Sequence, residues 1–139
     1  MRTEIYKDEG YKLMGAAFEV YNDRGYGMAE EIYQECFEIE LELRGITFQP
    51  KQNLTCYYKG RLLKRCYYPD LLVSNCLVTE LKAVTHLVPE HEAQLYNYMR
   101  ITRHPVGYLI NFGHQDNLEW KRLIISEFIP PGLAQISAD

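Results

Sequence analysis

Apolar side chains at Leu13, Met14, Ala17, Phe18 and Tyr21 recur at the spacing of one helix face, which predicts a helix from Asp8 to Asp23 that stops near Gly25. A second periodic stretch runs from Met28 to Arg44, closed by Gly45, the residue type best suited to the left-handed turn after a helix. On it, Glu31, Glu35, Glu38 and Glu42 form a solvated side. Glu30 falls off that side. It lines up instead with Tyr33, Phe37 and Leu41 on the apolar stripe, an odd place for an acid.

The pattern then shifts from helical to strand-like. FQPKQNLTCYY, RLLKRCYYPDLLV and CLVTELKAV are rich in Val, Leu, Tyr and Thr and are separated by Lys59-Gly60 and Ser74-Asn75, which predicts an antiparallel three-stranded meander. Pro89 opens a third helix with Leu95, Tyr98, Met99 and Thr102 on its apolar face. After Pro105, VGYLINFG is apolar without alternation, as in a strand covered on both faces, and LEWKRLIIS adds a further strand. The expected fold class is therefore α/β, a sheet with helices against it. The tail EFIPPGLAQISAD is broken by Pro-Pro-Gly and is read as loose or docked late.

Within the meander two strands carry charge. Alternation puts Glu80 and Lys82 on one face of their strand with Val78, and Asp70 on one face of the preceding strand with Tyr68 and Leu72. A two-residue turn at Ser74-Asn75 would set Asp70 opposite Thr79; a three-residue loop sets it opposite Glu80. We expect the second register, which also pairs Leu72 with Val78 and Tyr68 with Lys82. Two carboxylates so close raise each other's pKa, so a positive partner is needed between them. Lys82 is one candidate. A divalent ion suits oxygen ligands better, since Mg²⁺ commonly takes one or two carboxylates and fills its remaining positions with water and phosphate. Such an ion would make a hydrolytic site, with Lys82 orienting water or stabilising developing charge. The competing reading is a structural ion pair of Lys82 with one acid, the other acid lying in water.

Pro69-Asp70, nine residues, then Glu80-Leu81-Lys82 resembles the PD-(D/E)XK signature of the restriction-endonuclease-like nucleases. Gly27-x-x-Glu30-x-x-Tyr33 resembles the naming motif of the GxxExxY family of small PD-(D/E)XK proteins. More of that pattern follows in order: Glu40-Leu41, Gly45, Tyr58-Lys59-Gly60, Asp70 to Val73, Glu80 to Ala83, Ala93-Gln94-Leu95 with Tyr98, and Asn111-Phe112-Gly113. The likeness covers about Leu13 to Gly113. The chain departs from the pattern at Tyr26 and Ala29, and beyond Ser126. The resemblance implies a restriction-endonuclease-like core, a mixed sheet with Asp70 and Glu80 as ligands of Mg²⁺ or Mn²⁺ and Lys82 as the catalytic lysine. It also implies that Glu30 and Gln94 join that site. The alternatives are a helix N-terminal acid for Glu30 and a buried backbone-bonded amide for Gln94.

Composition narrows the partners. One chain of 139 residues with 47% hydrophobic content suits a single domain. A net charge of −4 argues against coating nucleic acid by charge alone, yet Lys59, Arg61, Lys64 and Arg65 gather with Tyr57 and Tyr58 at one hairpin, either a grip on a phosphate backbone or a solvated tip. The four cysteines lack metal-site spacing and read as small buried hydrophobes, and His86 and His91 lack regular ligand spacing. No apolar run is long enough for a membrane span or a signal peptide, so the default location is cytoplasmic. The expected activity is a metal-dependent nuclease on DNA or RNA, a homodimer if both strands of a duplex are cut. The rival is a non-catalytic nuclease-fold module that binds a protein or nucleic acid. A third possibility is processing of small phosphorylated molecules.

Overall fold

The computed structural model describes residues 5–50, 55–64 and 69–133. Two helices, α1 (Lys7–Arg24) and α2 (Glu30–Leu43), lead into β1 (Phe48–Pro50). A small hairpin of β2 (Tyr57–Tyr58) and β3 (Arg61–Leu62) follows, then β4 (Leu71–Val73) and β5 (Leu77–Lys82). Helix α3 (Pro89–Thr102) crosses to β6 (Val106–Asn111), and β7 (Glu119–Ile124) completes a five-stranded mixed sheet in the order β1-β4-β5-β6-β7. The β5–β6 pair is parallel and the others antiparallel. This arrangement, a mixed sheet flanked by helices, has the architecture of the restriction-endonuclease-like fold.

The sheet separates two apolar cores. Leu71, Val73, Leu77 and Leu81 join Tyr108, Ile110 and Phe112 under α1 and α2. Val78, Leu109 and Leu123 meet Leu95, Tyr98 and Met99 of α3 on the other face. Both faces of β6 are thereby covered, and all six of its residues are buried, as its unbroken apolar run predicts.

The meander differs from expectation in one respect. Among the described residues β2 and β3 form their own two-stranded ribbon while β1 pairs directly with β4. Proline explains the break: Pro50, paired with Leu71 at the end of β1, has no N–H to continue the ladder, and Pro69 limits β4 in the same way. Helix α1 buries Leu13, Met14 and Ala17 as expected, but the buried face is shifted toward its small residues. Phe18 is exposed and Tyr21 half-buried, whereas the small residues Gly10, Ala16 and Ala17 are buried with Leu13 and Val20 and allow close approach. Gly45 takes the left-handed φ of +68° expected after α2. Cys36, Cys56 and Cys76 are half-buried rather than buried; Cys66 lies outside the described residues.

Asn111-Phe112-Gly113 ties β6 to the segment that follows β5. The Asn111 carboxamide accepts from Val84 N–H and donates to Val84 C=O, both at 2.9 Å, and Phe112 N–H donates to the Lys82 carbonyl. A Cβ at Gly113 would lie 2.4–2.5 Å from backbone atoms of Ala83 and Val84. Gly113→Ala is therefore expected to cost about 3 kcal/mol, read as a lower urea midpoint; an unchanged midpoint would show that the segment after Lys82 is free to move aside.

Among the described residues no helix is long and apolar enough to cross a membrane.

Candidate functional site

The two acids meet through the loop between β4 and β5. Ser74 and Asn75 both adopt left-handed backbone, and with Cys76 they make a three-residue connection that pairs Leu72 with Val78 and Leu71 with Thr79. Continuing that register by one pair sets Asp70 across from Glu80. The two residues then hold each other reciprocally: Asp70 N–H donates to Glu80 Oε1 at 2.8 Å, and Leu81 N–H donates to Asp70 Oδ2 at 2.7 Å. The expected Leu72–Val78 pairing is present, while Tyr68 lies outside the described residues.

Glu80 is only 5% exposed. Burial, then the negative charge of Asp70, drives its pKa up to about 8; the Asp70 N–H and the Lys82 ammonium oppose the rise, and Glu30 adds to it. Glu30, Asp70, Glu80 and Lys82 thus share one electrostatic neighbourhood.

Lys82 is half-buried on the same strand face as Glu80, two residues further on. Among the described residues neither acid is its ion-pair partner. Its ammonium donates instead to Gln94 Oε1 of α3 at 3.2 Å. Gln94 itself is exposed, so the buried-amide reading fails: α3 presents it outward, over the end of β5.

Glu30 is exposed at the first residue of α2, although Tyr33, Phe37 and Leu41 below it on the same stripe are fully buried. There it also faces the positive end of the helix dipole. Tyr33 stabilises this helix start. Its ring stacks on Phe112 at 4.9 Å, its hydroxyl donates to the Gly25 carbonyl, and it accepts from Met28 N–H at 3.2 Å. The Gly-x-x-Glu-x-x-Tyr spacing thus has a local mechanical meaning: the tyrosine closes the turn that delivers the glutamate.

Two buried amides were not singled out for any role from the sequence. Gln34, 6% exposed, donates to the Asp70 carbonyl at 3.2 Å and to Glu38 at 3.0 Å, which also takes Glu38 off the fully solvated side of α2. Asn111, besides clasping Val84, donates to Glu119. Burial raises Glu119, but hydrogen bonds from Asn111 and Leu87 N–H, with His114 and His86 nearby, hold it below its ordinary value. The sequence offered one signal for both, a polar residue on an otherwise apolar helix or strand face. His91 accepts from Val88 N–H as a cap of α3, and His86 packs edge-on against His114.

Among the described residues, no group of three or more His, Cys, Asp or Glu is disposed to hold a metal. What remains, two carboxylates on adjacent strands, fits a hard cation that takes one or two protein oxygens and completes its shell with water. A groove of about 1070 Å³ along α1, reaching Arg44, Trp120 and Arg122, includes none of these residues. The basic hairpin stands apart from the sheet as the β2–β3 ribbon, with Lys59, Arg61 and Lys64 exposed and Arg65 outside the described residues.

No curated protein and no solved structure matches the chain. The sequence profile of the PD-(D/E)XK nuclease superfamily matches residues 7–123, a span from α1 into β7 that holds both acids and the lysine, and the chain belongs to that superfamily.

Proposed function

We propose that the protein is a Mg²⁺- or Mn²⁺-dependent nuclease of the GxxExxY type, with Asp70 and Glu80 as the ligands of the ion. Superfamily membership implies hydrolysis of phosphodiester bonds in nucleic acid in general. The observation that supports the finer reading is the reciprocal hold of Asp70 and Glu80 across the β4–β5 pair, with Lys82 on the same face. A buried acid driven up to about 8 beside a second acid is a site that gains by taking a cation in place of a proton.

When bound, a divalent ion supplies neutralisation of phosphate charge and acidification of water. The chain's own groups supply the rest. Backbone N–H groups fix one oxygen of each carboxylate, which sets the direction of the other. Lys82 Nζ, steadied by Gln94, can donate hydrogen bonds that orient an attacking water or stabilise the oxygen on which charge develops. Glu30 adds negative potential at the mouth of the site, which favours cation binding.

Millimolar Mn²⁺ is expected to raise the melting temperature of the wild type by a few degrees, because a ligand at about ten times its Kd contributes roughly 1.4 kcal/mol to the folded state. Asp70→Asn keeps the shape and removes the charge, so the rise should vanish. Identical wild-type melting curves with and without Mn²⁺ would overturn the metal site and favour a non-catalytic binding module.

A further inference from the structure

Six of the fifteen Lys and Arg residues lie between Arg44 and Arg65, and none of the nineteen acids does, which leaves nine cations against nineteen acids in the rest of the chain. An acidic protein thus carries one strongly basic segment, and its tip is the β2–β3 ribbon. That tip is also apolar in the wrong place for a solvated turn. Tyr57 and Tyr58 are 66% and 64% exposed, and Leu62 and Leu63 are 61% and 45% exposed. Tyr57 pairs with Leu62 on one face of the ribbon, and Tyr58 pairs with Arg61 on the other, with the Lys59 ammonium 5.5 Å from the Tyr58 ring centre. Among the described residues Lys59, Arg61 and Lys64 make no ion pair.

The position of the ribbon in the chain matters as much as its composition. Pro50 is the last residue of β1 and Leu71 the first of β4; they bracket the ribbon in sequence and are paired neighbours. The arm is therefore rooted at the sheet end that carries Asp70, the end at which the acid pair lies.

We propose that this arm binds an unpaired nucleic-acid strand and feeds it to the acid pair, so that the substrate class is single-stranded DNA or RNA or the unpaired part of a branched structure. The inference rests on the nuclease reading and names its substrate. Cations alone would serve for the backbone of a duplex, and such a contact would leave two tyrosines and two leucines in water. A tyrosine ring finds a base face to stack on where the base is already out of a helix, and stacking on exposed aromatics beside cations is the mode of sequence-tolerant single-strand binding. A strand already single also needs one cut, which one copy of the chain can make.

The test is equilibrium binding of a fluorescent oligothymidylate, measured in EDTA so that the result does not depend on whether the acid pair cleaves anything. The expected result is binding to the single strand at least tenfold tighter than to a duplex of equal length. Tyr57→Ala and Tyr58→Ala should each weaken single-strand binding about tenfold, Tyr57→Phe should restore it, and Lys59→Ala with Arg61→Ala should flatten its salt dependence. All these positions are exposed, and unchanged melting curves would show that the variants fold. Equal or tighter duplex binding, or tyrosine variants that bind as the wild type does, would overturn the proposal. So would a concentration-dependent dimer that Tyr57→Ala and Tyr58→Ala dissolve without any effect on oligonucleotide binding, since the arm would then be an interface between copies.

Discussion

Replacing Lys82 with alanine is expected to lower metal-dependent cleavage by two to three orders of magnitude, the usual cost of removing one positioned donor from a site of developing charge. Stability should change little. The residue is half-buried and its ammonium is bonded to an exposed glutamine, so its loss breaks one solvated contact. Its charge also opposes the upward shift of Glu80, so the variant should hold the Glu80 proton to still higher pH. The measurement is a single-turnover assay on single-stranded and duplex substrates in Mn²⁺. Cleavage that survives the substitution would remove Lys82 from the chemistry.

Glu80→Gln is expected to stabilise the metal-free protein at alkaline pH and to leave it unchanged in acid. The folded value is about 8 against an ordinary 4.5, so between those values the folded chain holds a proton that the unfolded chain has released. The contribution of Glu80 to wild-type stability is then greatest below pH 4.5 and is lost as pH rises through 8. Gln keeps the shape and an acceptor for Asp70 N–H but never ionises. The difference between the two proteins should grow to about 3 kcal/mol at pH 7 and about 5 kcal/mol above pH 8. Urea unfolding across pH in EDTA measures it, and parallel curves would refute it. Mn²⁺ at pH 8 should narrow the difference by about 1.4 kcal/mol, because the wild type alone keeps both ligands.

The acid pair was accessible from sequence because hydrophobic alternation and turn length together specify a strand register. Leu72 and Val78 must meet on the α3 face, and once they do Asp70 and Glu80 follow. Helical periodicity was less informative for Glu30. A stripe specifies direction around the helix axis and says nothing of depth, and at the first residue of α2 the stripe has run past the end of the core. The split of the meander at Pro50 and Pro69 was present in the residues, since a proline inside a strand pattern demotes it to an edge or an end. Gln34 shows what pattern cannot supply: its partner is a backbone carbonyl 36 residues away, and backbone atoms leave no trace in a sequence. The roles of Asp70, Glu80, Lys82, Glu30 and Gln94 came from resemblance more than from periodicity.

The connector Ser74-Asn75-Cys76 acts as a ruler for the chemistry. Were Ser74-Asn75 alone to close the turn, Val73 would pair with Cys76 and Asp70 would face Thr79, turning Glu80 toward the opposite side of the sheet. Activity in a lineage is thus exposed to loss by substitutions that favour the tighter turn, in a connector that touches neither carboxylate, with every residue of the signature still present in the gene. A grafting experiment that moves the acids to another hairpin would have to carry this spacer with them.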